Sequence, residues 1–597
     1  MLRAFLRRLL RAPHRTVGLV AWRVRHDPVW VMLKLWGALS TQRRLRLALR
    51  ALRVAERRLA RRPRTTTAAI VACFAMVQLG RTDELDEFVG VRDAWAGQRE
   101  RVAMARILAE ADRPAPALRL LDHARASAGM LEAKGRALAR QGNLRAAQRA
   151  LADATALGSP SVRVERDRTQ ATLQALTPDW QPTVPPITPG RAVPGRVLHL
   201  LNNSLPHVVA GYTVRTHRIA QAQRAVGLDP LMVTRAGFPV LQGVFDAAPS
   251  DDVDGITYYR LPAEGLARRG PAALIQANVE RLAPLVERHR PAVLQPTSPY
   301  DNPRAALALG AVTGIPVVYE VRGFLEQTWR SRHGDAAADT DRYQMTRAIE
   351  GWCMRRADRV VTLGAAMKAD IVARGADPDH VWVIPNAVDP DDFSPQPTDP
   401  RLRADLGFAQ TDVVLGYVSS LVSYEGVTHL LDAIALLRSR HLRVRGLIVG
   451  DGADRVALEQ KAARLGLGDV VRFTGRVPIA DVKRYYAQID VFVVPRTNDE
   501  VSRTVTPLKP LEAMALERAV VTSDVPALRE IIQPGETGMV FMAEDAGNLA
   551  TVVEPLLDDR PARDRLGKAA REWVIAERTW RRNGERYREL YTELGAV

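Results

Sequence analysis

Along the first third of the chain apolar residues recur at helical spacing; beyond about residue 195 they gather into short continuous runs. The segment RRLRLALRALRVAERRLARR sets Leu and Ala at helical intervals between arginines. Residues 65–175 carry a weak repeat. VACFAMVQLGRTDELDEF, ARILAEADRPAPALRLLD and GRALARQGNLRAAQRALADA align with Gly80, Asp112 and Gly142 at their turns, at spacings of 32 and 30. Each unit predicts two helices around a tight turn. Residues 176–195 hold six prolines and predict an extended linker. After it, strand-like runs such as RVLHLL, LDPLMVTR, IPVVY, IDVFVVP and AVV alternate with helical stretches. That alternation predicts parallel sheets in two successive domains. The expected class is α/β, with two Rossmann-like domains preceded by an all-α helical-repeat region. The expected boundaries are 1–64, 65–175, 176–195, 196–395 and 396–597.

The chain has 597 residues, ample for several cores. Its net charge of +18 is concentrated: residues 1–64 hold 18 Lys and Arg against two acids. The rest of the chain is close to neutral, which argues against a nucleic-acid groove spread over the protein. Residues 1–64 alternate basic and apolar residues without the roughly 18–20 apolar residues in a row that a span needs, and no signal-peptide pattern is read there. A basic helix with Trp, Phe and Leu fits an anionic membrane surface; a solvated helix packing on the next domain fits as well. Cys73 and Cys353 give neither a disulfide framework nor zinc spacing, and a reducing compartment fits them. No acidic cluster has metal-ligand spacing.

The richest stretch is RTNDEVSRTVTPLKPLEAMALERAVVTSDV, residues 496–525. It follows an apolar strand, opens a helix near Pro510 and leads into a second strand. Lys509 stands where a helix cap is usual. Either an anion sits between Lys509 and the helix start, or Lys509 pairs with Glu512 three residues on.

PLKPLEAMA followed by AVVTSDVPALREII resembles the donor region of the family-4 retaining glycosyltransferases, which have the GT-B fold. With YEVRGF upstream, the chain is similar to a subgroup from bacterial polysaccharide gene clusters. The resemblance covers about residues 195–597. The helical region is similar to tetratricopeptide repeats, although its period is short and the signature Trp and Tyr positions are absent; an irregular bundle fits the same pattern.

The resemblance implies roles residue by residue. The loop at Gly211 closes over the donor diphosphate. Relatives often carry an H-x-H pattern where Gln295 and Thr297 stand, and a histidine where Arg322 stands. Arg322 cannot carry a proton near neutrality but can hold a phosphate or carboxylate. Glu320 points the same way along its strand, so the two serve the cleft or pair with each other. IPNAVD, residues 384–389, matches a landmark near the hinge. The glycine–arginine pair and the lysine of relatives, whose two cations hold the donor diphosphate, fall on Ser419, Ser420 and Glu425, ahead of Gly426. Arg503 and Lys509, with the backbone of the loop carrying Thr506, Pro507 and Leu508, are expected to substitute. Gly475 and Arg476 match the segment facing the nucleotide base. Glu512 matches the acid that binds the ribose hydroxyls, while the paired acid eight residues earlier falls on Thr504. The final helix is expected to cross back to the first domain.

The resemblance therefore implies a retaining, metal-independent glycosyltransferase without a cofactor. Arg322, Glu320 and Lys509 are its expected catalytic groups. Its partners are a nucleotide-sugar donor and a glycan or lipid-linked acceptor, with a protein partner for the helical region and no nucleic acid. The expected location is cytoplasmic, peripheral on the inner face of the membrane. Two alternatives stay open: a GT-B epimerase or phosphorylase, and a non-catalytic binding or scaffold protein.

Overall fold

The computed structural model describes residues 41–94, 96–158, 162–266 and 270–597. The expectations for residues 1–40 lie outside the described residues. Among the described residues eight helices come first: α1 (Thr41–Arg61), α2 (Thr66–Leu79), α3 (Thr82–Asp93), α4 (Gln98–Glu110), α5 (Pro114–Asp122), α6 (Ala128–Gln141), α7 (Leu144–Ala156) and α8 (Arg163–Ala175). Alanines such as Ala69, Ala72, Ala105, Ala133 and Ala137 are fully enclosed where these helices meet. Small side chains let helix axes approach closely, which is why this core is Ala-rich rather than Leu-rich. Gly80 and Gly142 end α2 and α6 in left-handed conformation, each N–H returning to carbonyls of the last turn.

The linker leads to the first lobe. Its strands are β1 (Arg196–Leu201), β2 (Asp229–Thr234), β3 (Ser250–Val253), β4 (Ile256–Arg260), β5 (Val293–Pro296), β6 (Val318–Glu320), β7 (Arg359–Thr362) and β8 (Val381–Val383). The order is β3-β4-β2-β1-β5, continued by β6-β7-β8 through bridges Leu294–Val317 and Thr297–Glu320. All pairings are parallel except β3 with β4. The second lobe holds β9 (Val413–Val418), β10 (Val444–Val449), β11 (Val471–Gly475), β12 (Val491–Val494), β13 (Ala519–Ser523) and β14 (Met539–Phe541), in parallel order β11-β10-β9-β12-β13-β14. That is the doubly wound order in which the chain runs outward from a central strand in both directions. Strands β9, β12 and β13 are buried throughout, as both faces are covered by helices.

Helix α9 (Gly211–Ala225) follows β1, and the chain ends in α10 (Arg560–Glu577) and α11 (Trp580–Glu593). Ala570 and Val574 of α10 belong to the second lobe's core, whereas Trp580, Tyr587, Leu590 and Tyr591 of α11 belong to the first lobe's. The chain thus crosses between lobes at Arg578–Thr579. Gly584 permits this seat: a Cβ there would lie 2.5 Å from the Ala222 carbonyl of α9.

Candidate functional site

Because both sheets are parallel, the loops that leave their strands lie at one edge of each, and these two edges face each other. The loop after β12 makes the contact. Asn386 Nδ2 donates to the Thr506 carbonyl (2.7 Å), and Val505 and Leu508 lie against first-lobe cores. Gly211 and Gly323 face Leu508 and Val505 and leave room for them. Sequence reading missed a short helix in this loop, Glu500–Thr504, capped by Asp499 on the Ser502 amide (2.8 Å). The signal was present as D-E-V-S, an acid ahead of a single turn. Glu500 reaches across to Arg330 (2.6 Å) and the Tyr343 hydroxyl (3.3 Å) of the first lobe. Glu530 of the second lobe accepts the amides of Ala365 and Ala366, each at 2.7 Å.

The helix at the centre of the stretch runs Lys509–Ala515, with Leu508 as its cap and Pro510 in the first turn. It has seven residues, so its dipole is short. Lys509 Nζ pairs with Glu512 at 2.9 Å, the second of the two expected arrangements. Glu512 also accepts the Tyr486 hydroxyl at 2.9 Å. Arg503 is exposed and donates to Asn498 Oδ1 (3.0 Å); Arg476 is exposed beside Gly475, whose φ is +71°. Ser420 is exposed at the end of β9. Thr506 is buried, and Pro507 is half-buried on the same loop.

Glu425, where the resemblance leads to the expectation of a lysine, has surroundings that suit an acid. It is buried, accepting Arg496 Nη2 (2.8 Å), Arg496 Nε (3.1 Å) and the Tyr417 hydroxyl (2.7 Å). Arg496 also donates to the Val505 carbonyl (2.7 Å), so the buried pair holds the inter-lobe loop. Sequence reasoning did not assign Arg496 this partner, 71 positions away. Gly426 follows at φ +68°.

Two expected site residues are held by partners within the protein, Glu320 first. It is fully enclosed, accepting Arg215 Nε (3.0 Å), Arg322 Nη2 (2.8 Å) and Gln295 Nε2 (3.0 Å). Burial alone would raise its pKa, but the guanidinium groups of Arg322 and Arg215 outweigh it and hold the carboxyl well below the usual range. Arg215 carries the same cluster to the crossing, donating to the Ile384 carbonyl (2.7 Å) and the Pro385 carbonyl (2.8 Å). Thr504 is buried in the inter-lobe seam, with Oγ1 donating to the Glu500 carbonyl (2.8 Å) and lying 3.1 Å from Gln327 Oε1. Arg322 also donates to Thr216 Oγ1 (2.5 Å) and the Tyr212 carbonyl (3.1 Å).

A cavity of about 380 Å³ lies at the opposite edge of the first sheet, between Arg290, Thr313 and Ala596, away from these groups. Among the described residues no helix is long and apolar enough to cross a membrane, and no group of three His, Cys, Asp or Glu is placed to hold a metal ion.

Comparison with known proteins agrees with this architecture. Residues 210–387 match the family described as Glycosyl transferase 4-like domain, and residues 398–573 match Glycosyl transferases group 1. The chain is similar to the 2-deoxystreptamine glucosyltransferase of Streptomyces kanamyceticus, with 28% identity over 40% of this chain and 62% of that protein. It is 32% identical to a GDP-mannose-dependent phosphatidylinositol monomannoside mannosyltransferase of Mycolicibacterium smegmatis, over 35% of this chain and 55% of that one. The chain thus spans less than two thirds of either relative. For the D-inositol 3-phosphate glycosyltransferase of an Arthrobacter species, identity is 27% over 60% of this chain and 85% of that one. Among solved structures, the sucrose-phosphate synthase of Thermosynechococcus elongatus superposes with a TM-score of 0.57 at 21% identity, over 67% of this chain and 99% of that one. Anabaena HepE in complex with UDP-glucose gives 0.52 at 18%, over 67% and 100%. These likenesses are to the fold. The chain has the GT-B fold, its first lobe matching the glycosyl transferase 4-like family and its second lobe the group 1 glycosyl transferases, behind a region that is all-helical among the described residues.

Proposed function

We propose that the chain moves a glycosyl group from a nucleotide-sugar to a hydroxyl of a glycan or lipid-linked acceptor, with retention and without a metal, in cell-surface polysaccharide synthesis. The bond between the anomeric carbon and the diphosphate oxygen breaks, and its electrons leave with the diphosphate. The acceptor oxygen bonds the same face of the anomeric carbon, its proton passing to the departing group. The observation that carries this reading is the pair of facing sheet edges with the 505–508 loop between them, in two lobes that both match glycosyl transferase families. Closed lobes exclude water, and cations beside the cleft stabilise the charge that builds on the diphosphate. Arg503, Lys509 and Arg322 are the candidates, each with a polar partner that a diphosphate would share or displace. Glu512, already holding Lys509, orients the nucleotide.

The N-terminal region supports a second element of the proposal. On α1, Arg50, Arg53, Arg57, Arg58 and Arg61 are exposed, with Glu56 the acid among them. This face suits an anionic membrane surface and a cytoplasmic, peripheral location. The remaining helices offer a surface for a protein partner.

The rival reading, a binding protein on a glycosyltransferase fold, is favoured by one observation: Arg496 and Lys509 are both neutralised by acids. Incubation with UDP- and GDP-sugars, with nucleotide release and product anomer read by NMR, decides between them. Nucleotide binding with no release under any acceptor supports the rival; failure to bind UDP or GDP defeats both.

A further inference from the structure

The first sheet has its own crevice. β2 and β4 lie on one side of β1 and β5 on the other, so the chain leaves β1 and β5 in opposite directions. Open parallel sheets take ligands at such a point, beyond the carboxyl ends of the strands. Asn202 and Asn203 follow β1 here, Arg235 follows β2, Asp301 begins the helix after β5, and Tyr212 lies in the first turn of α9. Asn203 Nδ2 donates to the Tyr212 hydroxyl (3.1 Å), and Gln242 Nε2 donates to Asn203 Oδ1 (3.1 Å). On the side toward the second lobe, the Arg322 amide donates to Ser298 Oγ (3.2 Å).

Two charged groups in this ring are only partly matched. Arg235 Nε donates to the Asn202 carbonyl (3.2 Å), and among the described residues its terminal nitrogens meet no acceptor. Asp301 lies within electrostatic reach of Arg235, and no ion pair joins the two. Both are half-buried. Half-buried at the crevice, both are open to a ligand in place of water. A guanidinium that still offers hydrogens and a carboxylate that still accepts them are together matched by hydroxyls, each of which does both. A phosphate or carboxylate ligand would satisfy Arg235 but sit against Asp301.

We propose that Arg235 and Asp301 form the acceptor subsite and grip adjacent hydroxyls of a neutral, sugar-like polyol ring. This rests on the glycosyltransferase reading and names the acceptor's chemical class. Saturation-transfer NMR on the full chain, with methyl α-mannoside, methyl α-glucoside and myo-inositol as probes, tests it. At least one probe binds the wild type, and its signal falls about tenfold or more in Arg235→Gln and in Asp301→Asn, as expected when a site built to hydrogen-bond hydroxyls loses one partner. Nucleotide affinity by calorimetry and the unfolding temperature stay unchanged in both variants. Should Arg235→Gln fail to fold, Arg235→Lys and the near-isosteric Asp301→Asn carry the test. The proposal is overturned if no probe binds a wild type that binds nucleotide, if binding survives both substitutions, or if inorganic phosphate displaces the bound probe. Absence of nucleotide binding in the wild type overturns the glycosyltransferase reading instead, and leaves the polyol result to stand on its own.

Discussion

Replacing Glu320 by Gln tests whether this carboxylate holds the lobe together or takes part in chemistry. The substitution preserves volume and removes one charge. Arg215 and Arg322, with side chains 2% and 9% exposed, then face each other without the anion between them. Removing one partner of a buried ion pair is destabilising by about 3–5 kcal/mol, most of it the stranded charge. A unit of 150–250 residues loses about 2–4 °C per kcal/mol, so the first lobe should melt about 6–20 °C lower. The pH dependence has a defined sign. A carboxyl held below its ordinary pKa contributes stability that is present above the unfolded value and lost as pH falls through the folded one. In E320Q that contribution is already absent, so its acid limb is flatter than the wild type's. Scanning calorimetry from pH 7 downward measures both quantities, with nucleotide release assayed well below the transition. An unchanged melting temperature together with abolished transfer would refute the structural assignment and restore Glu320 to the chemistry.

Four further outcomes follow from other sites. Lys509→Ala should weaken UDP or GDP binding sharply by isothermal titration; unchanged affinity would remove Lys509 from the donor site. Gly426→Ala should destabilise the second lobe and lower nucleotide affinity, because φ is +68° and a Cβ would lie 1.9 Å from the Pro495 carbonyl; a melting curve like the wild type's would contradict this. His199 is buried, and burial pushes its pKa down to about 4, so stability should fall as pH drops from about 6.5 toward 4, by about 3 kcal/mol in all; denaturant midpoints at pH 7 and pH 4 measure it. Glu350 runs the other way: burial raises its pKa to about 8, so its stabilising contribution is lost as pH rises from the ordinary carboxyl range through about 8, and Glu350→Gln should be relatively more stable at pH 8 than at pH 5.

The residues that sequence reading placed correctly in space are those governed by local rules. The strand from Val491 announces itself because a strand buried on both faces is apolar throughout. The helix near Pro510 was legible from a proline that suits a first turn. What could not be read is what each charge meets across the fold. Alternation along a strand would point Glu320 and Arg322 the same way, and the sequence alone left them facing the cleft or each other; Arg215, 105 positions upstream, encloses the acid. Thr504 occupies the register of a donor-sugar acid, yet Gln327 from the other lobe draws its hydroxyl into the seam. Glu425 and Arg496 explain each other. An acid at 425 in place of a lysine reads as a lost cation until a guanidinium is found 71 residues away, buried against it and holding the Val505 carbonyl. A buried arginine without that acid would strand a charge, so the two positions are expected to change together or not at all. Arg496→Met with Glu425→Leu should therefore retain more stability than either single change, with the inter-lobe loop loosened and nucleotide affinity reduced. A double variant no more stable than the worse single one would show that the pair is not the unit that holds this loop.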